Sequence, residues 1–387
     1  MLTLFLVFVI LSFVAGKVKK VYDLDRYTFS DYMKEFRYSW KEGSHEFLHH
    51  LETFKSNVKE IIAHNKNPHA TYKMGINKFT AFSTKDMRNY NGYSKSLKQA
   101  HKPTHLKDHN IQMRPVSDLP REIDWRKEGI VSAVKDQGHC GSCWAFGATG
   151  TLESSIARAT GLLFSLSPQQ IASCAPNPDS CGGTGGCMGG TAEIAFDYVA
   201  KSKGIQQSFQ YPYTSYYGED FKCNTDNEAE AVAYIDGYTM LQRNNYTELM
   251  NAVATIGPIA ISVDASTFGK YESGIYTNCP GYGDVPGSPD INHAVVLVGY
   301  GVDDVTGLKY WLIRNSWSPA WGEQGYIRLI RSDNDSDNCA IDTTPEDGYA
   351  CAGDHEPISV CGACGMLCDS SYPTGAGVFG QDDDRKP

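Results

Sequence analysis

Past its first sixteen residues the chain has no apolar run long enough for a bilayer-spanning helix, which needs about 20 residues, so no membrane anchor is expected beyond the N-terminus. It has a Gly-rich stretch, residues 181 to 190, but no Gly-Lys-[Ser/Thr] follows it and no clear strand precedes it. That removes a phosphate-binding reading. The C-x-x-C from Cys361 to Cys364 has no convincing second pair, which favours disulfides over a metal site. An excess of basic residues is missing as well: the formal net charge is −10, and the Lys and Arg residues are interleaved with acids. Nucleic acid is a poor partner for such a chain.

What is present is an ordinary globular composition, 41% hydrophobic and 21% charged over 387 residues, too long for one small core. Residues 1 to 16 are almost wholly apolar and end in Val14-Ala15-Gly16, small residues that suit a signal peptidase. Twelve cysteines fit the oxidising compartment that such a leader reaches. Charge divides unevenly along the chain. Residues 17 to 118 carry 19 Lys/Arg against 11 Asp/Glu, and residues 119 to 387 carry 16 against 34. Eight of the eleven histidines lie in the basic part. Two segments of opposite sign that attract each other are expected.

From Gln137 to Phe146 a Gly-punctuated turn runs into an apolar, helix-forming run that begins at Cys143. A cysteine at a helix N-terminus faces unpaired N–H groups and the positive end of the macrodipole, so its thiolate should be favoured and its pKa lowered. A lone cysteine in a secreted chain is more often a buried apolar residue or half a disulfide. Here residues 140 to 144, Cys-Gly-Ser-Cys-Trp, resemble the nucleophile signature of the papain and cathepsin L family of cysteine proteases.

That resemblance implies an α+β fold with a helical half and a β-barrel-like half, the active cleft between them. It makes Cys143 the nucleophile, Gln137 an oxyanion donor, and His293 the base, with Asn315 orienting it and Trp317 shielding the contact. Taken alone, His293 beside an apolar strand reads as a core residue and Asn315 as a turn former; the resemblance, in the right order after Cys143, outweighs both. The pair is expected to rest as thiolate and imidazolium. No cofactor or metal is implied. Disulfides Cys140–Cys187, Cys174–Cys223 and Cys279–Cys364 follow from the same resemblance, leaving Cys181, Cys339, Cys351, Cys361 and Cys368, of which two pairs and one free thiol are expected with partners open.

The same resemblance implies that substrate lies along Gly189 and Gly190, where the absent side chain lets another backbone approach. Thr191, Ala192, Ser262 and Ala294 would wall the main specificity pocket, with Asp369 at its floor accepting Arg or Lys; a solvent-facing Asp369 is the other reading. No His-containing occluding loop is visible, which favours internal cleavage. Asn245 and Asn334 open Asn-x-Thr and Asn-x-Ser motifs and read as glycosylation sites.

Upstream, between Tyr32 and Asn65, apolar residues recur at helical spacing, among them Phe47, Leu51, Phe54, Val58 and Ile61 or Ile62. Glu46, Phe54, Asn57, Ile61 and Asn65 resemble the propeptide pattern of cathepsin L-like zymogens, as do Gly75, Asn77 and Phe79. His50 and Ala81 depart from it and remove an ion pair. The expected organisation is a leader at 1–16, an inhibitory propeptide at 17–118 whose last part is an extended connector, and a peptidase domain at 119–387. Protein and peptide substrates, the chain's own propeptide and cystatin-like inhibitors are the expected partners of a monomer in a lysosome, a similar vacuole or the extracellular space. A catalytically silent relative or a disulfide-rich structural protein are the competing classes; neither needs Gln137, His293 and Asn315 together.

Overall fold

The computed structural model describes residues 22–88, 90–92, 107, 111–202, 204–224 and 230–380. The leader and most of the connector lie outside that set. Among the described residues no helix is long and apolar enough to cross a membrane.

The first structured unit is built from capped helices. Helix α1 (Phe29–Phe36) starts at Thr28, whose side chain and that of Asp31 form a reciprocal capping box, and stops at Arg37 in a left-handed conformation, φ 60°. The apolar periodicity resumes in α2 (His45–Lys66), which Ser44 caps through Phe47 N. Strand β1 (Tyr72–Met74) and the short α3 (Thr84–Met87), with a capping box between Ser83 and Asp86, complete it. His50, which cannot form the ion pair absent from the sequence, instead donates Nδ1 to the Ala81 carbonyl at 2.8 Å and stacks on Trp40.

The rest divides into two halves. After the short strand β2 (Ile123–Asp124), the helical half comprises α4 (Cys143–Thr160), α5 (Pro168–Cys174) and α6 (Ala192–Lys201), and its core includes Trp144, Leu152, Ile156, Ile171 and Phe196. Helix α4 ends on Gly161, φ 77°. Fourteen of its eighteen residues are buried, so it is a core helix rather than an amphipathic one.

The sheet half follows β3 (Ala233–Tyr234), β4 (Gly237–Met240) and α7 (Tyr246–Thr255), and contains β5 (Ile259–Val263), β6 (Tyr271–Tyr276), β7 (His293–Val302), β8 (Lys309–Arg314), β9 (Tyr326–Ile330), β10 (Cys339–Asp342), β11 (Ile358–Cys361), β12 (Ser370–Thr374) and β13 (Gly377–Val378). Its main sheet runs β1-β6-β9-β8-β7-β5-β12-β4, with β2 pairing β7. Strand β1 of the N-terminal unit is therefore an edge of this sheet, antiparallel to β6. One hydrophobic cluster holds both Phe29, Tyr32, Phe54 and Phe79 of the N-terminal unit and Trp311, Trp317 and Trp321 of the sheet half. The opposite net charges do not carry this contact alone: ion pairs Lys78–Asp136 and Glu60–Lys270 cross it in both senses, alongside strand pairing and buried rings.

Five disulfides are formed. Cys140–Cys187, Cys174–Cys223 and Cys279–Cys364 are joined by Cys181–Cys351 and Cys339–Cys361, and Cys368 is free and buried. The last two bridges tie down the long segment between β9 and β12, one of them to the Gly-rich stretch.

Candidate active site

Cys143 is the first residue of α4 and is completely buried. The loop before it is held from several sides. Gln137 N donates to Ser316 O at 2.9 Å, Tyr213 Oη donates to Gln137 O at 2.7 Å, and a Cβ on Gly141 would collide with the Cys187 carbonyl. Tyr213 thus anchors the loop, and it also hydrogen-bonds Ser142 at 2.7 Å. Below, Glu153 is fully buried and receives Lys135 Nζ at 2.5 Å, Leu166 N at 2.7 Å and the Ser132 hydroxyl. A buried carboxylate needs such partners, and this set clamps the approach to the loop onto α4.

His293 opens β7 opposite Val263 of β5, and Asn315 follows the end of β8. His293 Nε2 donates to Asn315 Oδ1 at 2.8 Å, and the Trp317 ring lies 4.7 Å from the imidazole. With the proton on Nε2, Nδ1 carries the lone pair. That atom is buried and has no hydrogen-bond partner among the described residues.

The sulfur is occupied instead by backbone amides: Ala294 N at 3.3 Å and Gly92 N, from the N-terminal unit, at 3.2 Å. Two residues before Gly92, the Tyr90 carbonyl accepts from Gln137 Nε2 at 2.8 Å. Burial pushes the Cys143 thiol up to about 11, against the lowering effect of the amides, and pushes His293 down to about 4 against its bond to Asn315. In this closed form burial works against both charged members of the expected thiolate–imidazolium pair. Both groups are fully buried, Cys143 beneath Gly92, and desolvation disfavours each charged state.

Gly189 and Gly190 also divide their expected task. A Cβ on Gly189, φ 96°, would collide with the Gly92 carbonyl, whereas one on Gly190 would lie 2.8 Å from the Trp144 ring. Gly189 is the residue whose bareness admits another backbone; Gly190 makes room for a neighbouring side chain. Thr191 immediately precedes α6, and it and Ala192 are buried.

Asp369 is 7% exposed, which excludes the solvent-facing reading. Ser262 Oγ donates to its Oδ2 at 2.6 Å. Its pKa is raised well above the usual carboxylate range, first by burial and second by the negative charge of Glu193, with Ser262 and Arg243 opposing. Glu193 is itself buried and accepts from the Ser371 hydroxyl. Sequence reading missed Glu193; the available signal was an acid in the first turn of a helix whose neighbours are apolar. The glycosylation candidates differ: Asn334 is exposed, while Asn245 caps α7 and its Nδ2 donates to Gln242 Oε1 at 3.0 Å.

A helix-borne thiol, an Asn-held imidazole from the opposite half and a segment of the same chain lying across both define a cysteine peptidase covered by its own propeptide. Residues 119–348 match the model of the papain family cysteine proteases and residues 29–87 that of the cathepsin propeptide inhibitor domain. The chain belongs to the papain family and is cathepsin L-like. It is 35% identical to ananain of Ananas comosus across 89% of this chain and 87% of that one, and 36% identical to cathepsin L of Sarcophaga peregrina across 76% and 84%. Among solved structures, digestive procathepsin L 3 of the Tenebrio molitor larval midgut is similar with a TM-score of 0.68 and 30% identity, covering 89% of this chain and 97% of that one.

Proposed function

We propose that this chain is the zymogen of an endopeptidase in which Cys143 attacks the scissile carbonyl, Gln137 and the Cys143 N–H hold the oxyanion, and His293 serves as acid and base. A leader at 1–16 directs it into the secretory pathway, and removal of 17–118 frees the enzyme of 119–387 in a lysosome, a similar vacuole or the extracellular space. It works as a monomer and is a target for cystatin-like inhibitors.

The observation that carries this reading is the bond from His293 Nε2 to Asn315, which leaves Nδ1 as the only basic ring atom beside the residue whose amide touches Cys143 Sγ. Once water reaches the site, the proton moves from sulfur to Nδ1. The thiolate attacks, the tetrahedral oxyanion forms at the Gln137 amide now occupied by Tyr90 O, and the imidazolium protonates the leaving amine. Water, deprotonated by His293, then hydrolyses the thioester.

The propeptide resists this chemistry because it presents an N–H, not a carbonyl carbon, to the sulfur. Acid loosens it by protonating carboxylates of the peptidase domain that attract the basic propeptide. In the specificity pocket, Asp369 and Glu193 together favour substrates with Arg or Lys two residues before the cut, beside Leu or Phe.

An epoxide thiol reagent tests the assignment. The processed protein should take up one equivalent, at Cys143, and lose all activity on a peptide library at acid pH. Failure of the processed, folded protein to cleave any peptide or to react at Cys143 overturns it.

A further inference from the structure

The N-terminal unit holds a second constellation that the peptidase chemistry does not use. His49, His50 and Asp86 each offer one ligand atom, and these atoms all lie within 4.8 Å of one another. His49 Nε2 is already 2.9 Å from Asp86 Oδ2. We propose that these three side chains form a site for a borderline divalent ion such as Zn2+, which clasps α2 to α3 and so secures the segment that covers Cys143.

Two features prepare the site for a metal. His50 commits its Nδ1 to the Ala81 carbonyl at 2.8 Å, and its ring is sandwiched near Trp40, 3.9 Å, and Phe82, 5.2 Å. An imidazole oriented in this way by a carbonyl keeps its lone pair on the other nitrogen, the usual arrangement of a ligating histidine. Asp86 is fixed by Ser83 N at 2.7 Å and Ser83 Oγ at 2.6 Å, both on the same oxygen that faces His49, which leaves Oδ1 available. The donor set of two imidazoles and a carboxylate suits zinc and its neighbours, with solvent as the fourth ligand. Such ions bind N and O at about 2.0–2.1 Å, so the set must close slightly. His49 supplies that movement, since its side chain is 43% exposed.

The position gives the site its consequence. Asp86 lies four residues before Tyr90, whose carbonyl occupies Gln137 Nε2, and α2 contributes Phe54 to the hydrophobic cluster shared with the sheet half. An ion joining the two shortens the stretch that can swing away from the cleft.

The test uses the whole zymogen with Cys143→Ser, which neither processes itself nor offers a catalytic thiol to the metal. Titration with Zn2+ alone should show one equivalent bound with micromolar affinity, a higher thermal midpoint, and propeptide release at least about threefold slower on limited proteolysis. His49→Ala, at an exposed position, and Asp86→Asn, which keeps the acceptor of the capping box, should each weaken binding at least about tenfold and abolish the slowing while circular dichroism stays unchanged. No binding, or binding and slowing that survive both substitutions, overturns the proposal. These readouts require no peptidase activity and stand whether or not Cys143 is the nucleophile.

Discussion

Gly92 donates its backbone N–H to the Sγ of Cys143 at 3.2 Å, so the sulfur of this chain is closed by a residue 51 positions upstream of it. A Cβ at position 92 would overlap that sulfur and lie 2.5 Å from the Gly141 carbonyl, itself part of rigid backbone. Gly92→Ala should therefore displace the segment and accelerate acid processing on the order of tenfold, equivalent to about 1.4 kcal/mol of lost closure. Processing followed by gel at a fixed acid pH measures it; an unchanged rate would place the inhibitory contact elsewhere.

Reactivity should track burial. With the thiol raised to about 11 and the imidazole lowered to about 4, the zymogen holds little thiolate at neutral pH, and its alkylation by iodoacetamide should rise only as the solution becomes strongly alkaline. After propeptide removal both shifts lose their cause. Rapid alkylation should then begin in the acid range, and the two pH profiles recorded side by side decide the matter.

Under the proposed mechanism, Gln137→Ala removes one oxyanion donor, and with it the bond to the Tyr90 carbonyl. The loss in kcat of the processed enzyme should be about 10²–10³-fold, as for other sites that lose a single donor. The zymogen should release its propeptide more readily. A variant impaired in KM alone would contradict the role.

Asp369 offers a sign test. Its folded pKa is raised above the unfolded value, so its contribution to stability is full below the ordinary carboxylate range and is lost as pH rises through the folded pKa. Asp369→Asn should raise the thermal midpoint near pH 8, on the order of a few degrees, and have little such benefit at pH 4. The same variant, and Glu193→Gln, should lower the preference for Arg over Leu two residues before the cut in a peptide-library profile. An unchanged preference in both would remove the acids from the pocket.

The Cys181–Cys351 bridge closes a separation of 170 residues between the Gly-rich stretch and the long segment after β9. Replacing both with Ser should cost about 2–4 kcal/mol in unfolding experiments. Because neither residue touches Cys143 or His293, kcat should stay within a few-fold of the parent.

Much of the architecture was legible because its signals are local. The start of α4 at Cys143 and the apolar strand beside His293 each depend on a few consecutive residues. The break between α1 and α2 at Arg37 was not legible, since the apolar spacing does not register a left-handed residue. Nor was Glu193, whose meaning depends on a strand that lies far away in the chain.

By itself the sequence determined which side chains have the chemistry of a thiol peptidase, which segment is basic enough to cover them, and how many cysteines a set of bridges must leave over. Tertiary structure alone decided that Cys368 is the one left free, that Asp369 has a second acid for company, and that burial raises the Cys143 thiol while it is covered. Helix capping and motif spacing act over a few bonds. The charge state of a sulfur depends on whether water can reach it, and that is settled only when distant parts of the chain have closed over it.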